Sequence, residues 1–357
     1  MLCDLKRVPI RVVVTGSRGK SSLTRLLHAG LTACGLSVYA RVTGVIPRGL
    51  SPKGERVVRR TSPSHIREMR WWAEQIPVDA GALVVENSAV HPDLQSFAAR
   101  LVAPTLVVWT TLRPDHEEAW GPGREGAARA LLRGVPRGVS VAGGVELSVS
   151  PLPELLRANG NVLHALPHSP LSHDAENLAL AQLSLELCGV SPPLLDDAAA
   201  AMRALPHDLA DFRVVRDGRD ELAVAFSAND AESTARLFAE TGWSPEETTL
   251  LYHHRFDRRA RLESFLPWIN AHSWREKIFT RPKRPLLSLR DAINWNDAIN
   301  SAAAFKAWWR GRVFACGNVA GWPLEFLLQL TRGAPNTKFK GIFSSGNVPN
   351  SKTSDSS

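Results

Sequence analysis

The sequence predicts an α/β protein built from two successive units. Three observations point to it. Short apolar runs alternate with amphipathic helical segments along the chain, several of the runs are followed at once by polar or titratable residues, and a second series of the same alternation begins near Leu205. Such alternation is typical of a parallel sheet with helices on both faces. We therefore expect a doubly wound, mostly parallel domain at residues 1–204, a smaller Rossmann-like α/β domain at 205–332, and a disordered tail at 333–357.

The elements of the first domain follow from local patterns. Aliphatic runs such as Val12-Val13-Val14 and Leu83-Val84-Val85 predict buried strands. Pro92 predicts the first turn of a helix, and the turn-rich residues 50–62 predict a hairpin or an excursion from the sheet. The predicted strands cover residues 12–14, 37–42, 82–86, 105–110, 139–149 and 163–166. One predicted helix starts near residue 20, and the others cover residues 64–75, 92–101, 123–133, 173–187 and 192–205.

The second domain repeats the alternation over a shorter length. Its predicted strands cover residues 212–215, 222–226, 248–252, part of 277–289, and 312–316. Its predicted helices cover residues 231–241, 258–269, 297–309 and 323–331. The residues beyond about 333 are rich in Ser, Asn, Lys and Gly and have little to bury, which is why we expect them to be disordered.

Composition and charge narrow the class of protein. The chain has 357 residues, a formal net charge of +8 and four scattered cysteines, and it contains no apolar run long enough to span a membrane. Its arginines are spread among acidic residues, so we expect no nucleic-acid partner. Residues 1–10 lack the apolar core of a signal peptide, and we expect a cytoplasmic protein. The basic charge suits an anionic small molecule or a polyanionic substrate.

A glycine-bracketed turn between the first strand and the first helix is the strongest functional signal. Gly16 and Gly19 allow backbone N–H groups to point inward at phosphate oxygens, and the helix that begins near Lys20 adds its positive end. Lys20 supplies a charge for the β- and γ-phosphates, and the hydroxyl of Ser21 is a ligand for Mg²⁺. The predicted nucleotide-binding loop consists of Gly16, Ser17, Arg18, Gly19, Lys20, Ser21 and Ser22.

Polar residues also follow two other predicted strands. Glu86 ends the strand at 82–86, and Asp115 and His116 come shortly after the strand at 105–110. In open α/β sheets, ligands bind beyond the carboxyl ends of the strands. The repeated placement therefore predicts that these residues lie at the same sheet edge as the nucleotide-binding loop.

With these motifs in place, the chain resembles the Mur ligase superfamily, and within it the ligase subunit of poly-γ-glutamate synthase, the CapB/PgsB type. The likeness extends over about residues 10–325 and includes the arginine before Gly-Lys in the loop and an Ala-Asn-Asp-x-Glu-Ser-Thr signature in the second domain. The segments that carry the resemblance are 14–22, 43–48, 86–94, 111–121, 173–181, 225–234, 254–258 and 317–321.

The resemblance implies a fold and an activity. The fold would be the central and C-terminal domains of a Mur ligase, without the N-terminal UDP-binding domain. The activity would be ATP-dependent amide formation, in which ATP and Mg²⁺ convert a carboxylate to an acyl phosphate that an amine then attacks. Glutamate is the implied amino acid, a γ-linked polyanionic polymer is the implied acceptor, and small membrane proteins are the implied partner subunits.

The resemblance also implies roles for residues of the first domain. Lys20 would hold the β- and γ-phosphates, while Ser21 and Glu86 would bind Mg²⁺. His116 would bind a second metal ion or orient the acyl phosphate. Asn177 would lie beside the adenine.

In the second domain, Arg255 and Arg258 would reach across the cleft to a phosphate or a substrate carboxylate with their planar guanidinium groups. Asp230 would bind the ribose or the incoming amine, or would instead cap a helix. Closure of the two domains over ATP would exclude water from the acyl phosphate.

The chain also departs from the family pattern. It has no lysine between Lys53 and Lys277, so most of the first domain has no candidate for the carbamoylated lysine that several Mur ligases use to hold a second Mg²⁺. Thr111 and Glu118 stand where Asn and Asp are frequent. Two other functions therefore stay open: a related ligase with a folylpolyglutamate-like or cyanophycin-like acceptor, and a nucleotide-binding subunit that has lost ligation.

Overall fold

A computed structural model describes residues 4–58, 67–114, 116–148, 151–167, 172–209, 211–228, 230–256, 259–281 and 293–332. The expectations for Asp115, Arg258 and the tail at 333–357 lie outside these residues. None of the helices within the described ranges is long and apolar enough to cross a membrane.

The first part of the chain forms an eight-stranded sheet with helices on both faces. Its elements are β1 (Ile10–Thr15), α1 (Lys20–Ala33), β2 (Val38–Val42), β3 (Arg48–Ser51), β4 (Gly54–Val57), α2 (Arg67–Ala73), β5 (Ala82–Glu86), α3 (Pro92–Val102), β6 (Leu106–Trp109), α4 (Glu117–Trp120), α5 (Gly123–Leu132), β7 (Ser140–Gly143), α6 (Leu152–Ala158), β8 (Leu163–Ala165), α7 (His173–Leu187) and α8 (Pro192–Arg203).

The strand order in this sheet is β4-β3-β2-β5-β1-β6-β7-β8. All neighbours from β2 to β8 are parallel, and the β3–β4 hairpin pairs antiparallel at one edge. Because β1 lies between β5 and β6, the carboxyl ends of these three strands meet at one edge, which is where the sequence predicted a site.

Apolar side chains fill both faces of this sheet. On one face, Leu23, Leu27 and Leu31 of α1 pack against Val12 and Val14 of β1. On the other face, β1 and β5 pack with α3 through a separate cluster of buried aliphatic residues. Burial of both faces explains the nearly continuous apolar sequences of the central strands.

The second part of the chain forms a five-stranded sheet. Its elements are β9 (Arg213–Asp217), β10 (Asp220–Val224), α9 (Ala231–Thr241), β11 (Thr248–His253), α10 (Arg259–Asn270), β12 (Glu276–Thr280), α11 (Ala302–Trp308), β13 (Arg312–Cys316) and α12 (Trp322–Arg332). The order is β12-β11-β13-β10-β9, with only β9 antiparallel to its neighbour. The predicted fold class, a doubly wound sheet followed by a smaller α/β unit, is confirmed.

Two local predictions were wrong, and two short helices were not predicted. The β structure predicted for 139–149 stops at Gly143, because the chain turns at Gly144, where an added Cβ would lie 2.2 Å from the carbonyl oxygen of Thr110. The helix predicted from 297 begins at Ala302, where Ser301 caps it by accepting from Ala304 N. The helices α4 and α6 have four and seven residues and were missed, since so short a segment has little periodicity to detect.

Candidate active site

The predicted nucleotide-binding loop is held tightly against the end of β6. Gly16 has φ of 123°, and a Cβ there would lie 2.3 Å from Thr110 Oγ1, so only glycine fits. The N–H of Ser17 donates to the carbonyl oxygen of Thr111 at 3.0 Å, and the N–H of Arg18 donates to Thr111 Oγ1 at 2.9 Å. The buried Ser17 hydroxyl bonds to the backbone of Arg113 at 3.0 Å. The loop is therefore preorganised by the neighbouring strand end.

Lys20 folds back over this loop. Its ammonium group donates to the carbonyl oxygen of Gly16 at 2.7 Å and to that of Ser17 at 3.2 Å. Gly19, with φ of 78°, precedes the first residue of α1 and has no side chain to cap the helix. The arrangement puts a cation and the N-terminal end of a helix at one place, which suits a phosphate group.

Ser21 and Glu86 meet at the same edge, as the sequence predicted. The Ser21 hydroxyl donates to Glu86 Oε2 at 2.9 Å, and the N–H of Thr43 donates to the same oxygen at 2.7 Å. Glu86 is buried. An added Cβ at Gly44 would lie 2.6 Å from Ser21 Oγ, so the absence of a side chain at Gly44 is what admits the serine. A hydroxyl beside a carboxylate is a donor set that fits Mg²⁺.

His116 has φ of 48° and precedes α4. Its Nδ1 lies 3.5 Å from Glu118, and its ring packs edge-on against Trp120 with centroids 5.4 Å apart. Among the described residues, no group of three or more His, Cys, Asp or Glu side chains is arranged to hold a metal ion. The predicted role of His116 as a metal ligand stays a prediction.

Asn177 lies at the loop, in the first turns of α7. An added Cβ at Gly19 would be 3.2 Å from Asn177 Oδ1. Both residues line a cavity of about 150 Å³ between the two sheets, which has apolar walls from Leu180 and Leu237 and an aromatic one from Phe212. A cavity with apolar and aromatic walls and polar groups, next to a phosphate-binding loop, has the chemistry that a nucleobase needs.

Arg18 and Asp230 meet across the two parts of the chain. Arg18 Nε donates to Asp230 Oδ2 at 2.7 Å, and Asp230 also caps α9 by accepting from Ser233 N at 2.7 Å. Burial acts to raise the pKa of Asp230, but Arg18 and the bonds from Ser233 outweigh it and hold that pKa below its usual value. The capping role proposed for Asp230 is confirmed, while its role toward ribose or amine stays a prediction.

Arg113 is a buried cation that the sequence analysis gave no role. Its Nε donates to Glu146 at 3.0 Å, and its Nη1 lies 4.0 Å from Asp230 and 3.8 Å from Glu232. Burial acts to lower the pKa of Arg113, but these carboxylates outweigh it and raise that pKa. The feature of the sequence that could have indicated a role for Arg113 is its position in the segment that follows β6.

Ion pairs join α9, the helix that Asp230 caps, to α7. Arg236 lies 2.8 Å from Glu176, and His173 Nδ1 lies 2.7 Å from Glu240. The spacing of Glu232, Arg236 and Glu240 is i, i+4, i+8, so these side chains share one helix face. In the sequence that pattern suggests a solvated face; here it contacts the first part of the chain.

The segment between α8 and β9 is also tied to the loop helix. The Ser22 hydroxyl donates to Asp211 at 3.0 Å, and Arg25 donates to Asp211 at 3.2 Å and to the carbonyl oxygen of Pro206 at 2.8 Å. Ser22, predicted to bind nucleotide, thus contacts the connecting segment, and its hydroxyl already has a protein partner.

Arg255 follows the carboxyl end of β11, while Arg258 lies outside the described residues. The neighbouring His253 is buried, and burial lowers its pKa to about 4. Its Nδ1 lies 2.8 Å from Thr280 Oγ1 and its Nε2 lies 3.0 Å from the carbonyl oxygen of Ala320, so it joins the ends of β11 and β12 to the segment before α12. The predicted roles of Arg255 and Arg258 stay predictions.

Two family models match these two parts of the chain. Residues 14–130 match the Mur ligase middle domain, and residues 211–333 match the C-terminal domain of poly-gamma-glutamate synthase CapB. Both matches agree with the CapB type of the Mur ligase superfamily, to which the two parts of the chain are similar. The resemblance inferred from the motifs is confirmed.

Individual relatives agree with this assignment. The chain is 25% identical over 292 residues to the PGA synthase CapB of Bacillus subtilis, a match that covers 75% of this chain and 74% of that protein. It is 26% identical over 246 residues to the UDP-N-acetylmuramoylalanine–D-glutamate ligase of Dinoroseobacter shibae. That second match covers 57% of this chain and 47% of the relative, so it spans about half of the ligase.

Solved structures support the fold. The E. coli FolC structure in complex with ADP superposes with a TM-score of 0.62 and 17% identity, covering 92% of this chain and 90% of that one. A complex of FPGS with AMPPCP gives a TM-score of 0.61 and 14% identity, covering 92% and 94%. At such identities the likeness concerns the arrangement of strands and helices.

Proposed function

We propose that this CapB-type chain is an ATP-dependent amide ligase that adds glutamate to a γ-linked polyglutamate chain. The observation that carries the proposal is the meeting of Lys20, Ser21 and Glu86 at the loop between β1 and α1. These three side chains supply what phosphoryl transfer needs, namely a cation for the phosphates and oxygen ligands for a metal ion. The family of the chain and its CapB relative support the same activity.

The loop would bind the triphosphate. Gly19 and the first turn of α1 offer backbone N–H groups, and Lys20 would exchange its bonds to Gly16 and Ser17 for phosphate oxygens. Ser21 and Glu86 would hold Mg²⁺, which when bound would supply positive charge to neutralise the phosphates. Asn177 and the cavity beside it would receive the adenine.

The chemistry would proceed in two displacements. A substrate carboxylate oxygen attacks the γ-phosphorus, the bond from that phosphorus to the bridging oxygen breaks, and ADP leaves. The amine of the second substrate then attacks the acyl carbon, inorganic phosphate leaves, and the amine nitrogen loses a proton as the amide forms. The contribution of the protein is chiefly positioning and charge neutralisation.

Residues outside the nucleotide-binding loop would complete the site. Arg255 and Arg258 would bind a phosphate or a substrate carboxylate, and His116 would orient the acyl phosphate or hold a second metal ion. The charge of +8 suits a polyanionic acceptor.

We further propose that the chain works in the cytoplasm, where ATP is available, next to small membrane partner proteins that receive the polymer.

The test is phosphate release from ATP and Mg²⁺ with L- and D-glutamate and short γ-linked oligomers, with product masses measured in parallel. Glutamate-dependent release with a mass gain of one residue is expected. Lys20→Ala should reduce release by about 100-fold or more, because the positive charge that would stabilise the transferred phosphoryl group is lost. Lys53→Ala is the matched control, since Lys53 is exposed in the turn between β3 and β4.

Other results would support the alternatives. Turnover with a pteroyl acceptor in place of the oligomers would favour the folylpolyglutamate-like ligase, the class whose solved structures share this fold. Nucleotide binding without turnover on any substrate, even with the membrane partner proteins added, would contradict ligation and favour a nucleotide-binding subunit.

A further inference from the structure

The contact between Arg18 and Asp230 links the nucleotide-binding loop to the second sheet. Arg18 lies between Ser17 and Gly19 in the loop, and Asp230 is the residue before α9. The two groups are 2.7 Å apart, and their side chains are only 18% and 13% exposed. A short, largely buried, charge-assisted bond of this kind fixes the direction of the guanidinium plane.

Each carboxylate oxygen of Asp230 accepts a different hydrogen bond. Oδ1 accepts from the N–H of Ser233 and so caps α9, while Oδ2 accepts from Arg18 Nε. Arg113 Nη1 stands 4.0 Å from Oδ1 and adds positive charge on that side. The carboxylate thus faces protein cations and a helix end, which leaves it poorly placed to receive a further hydroxyl or amine.

We propose that Asp230 is a positioning residue that aims Arg18 at the bound nucleotide's phosphates. The guanidinium is a planar fork, so a carboxylate that accepts from Nε fixes the plane in which the two Nη groups lie. Arg18 and Gly19 are consecutive in the loop and both line the cavity next to it, so the guanidinium would lie near the phosphates of a bound nucleotide. Asp230 belongs to the second sheet's domain, so correct aim of Arg18 requires that the two domains be together.

This inference rests on the proposed function, since it requires a nucleotide in the loop. It differs from direct binding of ribose or of the amine by Asp230, because the carboxylate then acts only through Arg18. It also differs from a purely structural cap. The three roles make different predictions for a pair of substitutions.

The experiment is a double-mutant cycle on Mg²⁺–AMPPCP affinity, measured by calorimetry with the full chain. The variants are Arg18→Gln, Asp230→Asn and the two combined. Loss of a charge-assisted bond predicts a decrease in affinity of about tenfold for each single variant. The double variant should bind no more weakly than Arg18→Gln alone, since Asp230 has no effect once its arginine is gone.

Adenosine provides the second readout, because it has the ribose and no phosphate. Asp230→Asn should leave its affinity unchanged, and a loss equal to that for AMPPCP would place Asp230 on the ribose and overturn the inference. If the double variant loses AMPPCP affinity by the product of the two single losses, the two residues act independently and the inference is overturned. If Asp230→Asn keeps full AMPPCP affinity, Asp230 is a helix cap only and the inference is overturned as well.

The controls separate folding from positioning. Asn caps helices about as well as Asp, so a fall in the melting temperature of Asp230→Asn would come from the lost ion pair with Arg18, and the variant should still be folded at the temperature of the binding measurement. Glu232→Gln, which removes a carboxylate of the same turn that lies 2.7 Å from Arg124, should keep AMPPCP affinity within about twofold, as exposed pairs contribute little. Failure of the wild type to bind AMPPCP would overturn the proposed function together with this inference, whereas the other adverse results overturn the inference alone.

Discussion

The helices α1 and α9 start in similar places in their sheets, but the residue that precedes each helix is different. Both α1 and α9 follow a strand that pairs in parallel with its neighbour, β1 in one case and β10 in the other. The residue before α1 is Gly19, in a left-handed conformation, whereas the residue before α9 is Asp230, in an extended one. Asp230 accepts from Ser233 N, while glycine has no side chain with which to do the same.

The difference decides what each helix start can do. Gly19 has no side chain to cap α1, so the start of that helix is open to an external anion, which is the requirement for binding phosphate. The N-terminus of α9 has its own carboxylate, and that carboxylate pairs with Arg18 from the loop before α1. The same strand–turn–helix plan therefore provides a ligand site in one copy and a contact with that site in the other.

The largest effect is expected from Gly19→Asp, which would place an aspartate before α1, as Asp230 stands before α9. The new carboxylate would cap the helix and occupy the place of the phosphate. AMPPCP affinity should fall by about 100-fold or more, as a buried like charge opposes the ligand. Gly19→Asn is the control: it has the same shape and tolerates positive φ, so its loss should be much smaller. Equal losses for the two variants would mean that shape near Asn177, rather than charge, is decisive.

The first turns differ in a second way that Glu86→Gln tests. In α1 the second residue, Ser21, faces the carboxylate of Glu86, whereas in α9 the second residue, Glu232, faces Arg124 and Arg113. Glu86→Gln keeps the size of the side chain and removes the charge. The Mg²⁺ concentration needed for half-maximal phosphate release should rise by about 10- to 100-fold, the usual cost of perturbing a metal site. An unchanged Mg²⁺ dependence would contradict the predicted metal site.

The fold could be predicted to this extent because the central strands are buried on both faces. Leu83, Val84 and Val85 are all fully buried, so the run is apolar throughout and unmistakable. The segment 139–149 was assigned wrongly because its apolar residues Val145 and Leu147 are buried in a 3₁₀ turn rather than a strand. A short apolar run records burial, and burial alone does not specify the backbone conformation.

The site was predictable only where its residues are local in sequence. Gly16, Lys20 and Ser21 lie in one loop, and Glu86 ends a strand, so their spacing signals their role. The pairing of Arg18 with Asp230 joins residues 212 positions apart. Nothing in either local sequence indicates the partner, because the contact depends on how the two sheets pack.

On the α9 side, Glu176→Gln weakens the contact with α7. Glu176 is buried, and one of its oxygens accepts from Val145 N while the other lies 2.8 Å from Arg236. Gln keeps the acceptor and loses the charge, so the free energy of unfolding should fall by about 1–3 kcal/mol in urea titrations. Glu125→Gln, which breaks an exposed i,i+4 pair with Arg129, is the control and should change it by less than about 0.5 kcal/mol. Equal effects would mean that the α7–α9 pair is no stronger than a surface pair.

The smallest expected effect concerns pH and the second α7–α9 contact. Burial acts to lower the pKa of His173, but Asp174 at 3.0 Å and Glu240 at 2.7 Å outweigh it and raise that pKa above the usual 6.5. A group whose pKa is raised on folding contributes stability below its unfolded pKa and loses that contribution as the pH rises through its folded pKa. The wild type should therefore unfold at a higher temperature than His173→Gln at pH 6, and the difference should shrink toward alkaline pH. Glu240→Gln should flatten the trend, because it removes one of the two carboxylates that hold the proton. A difference that grows with pH would show that His173 stabilises the contact as the neutral imidazole, and the charge pairing between α7 and α9 would then rest on Arg236 and Glu176.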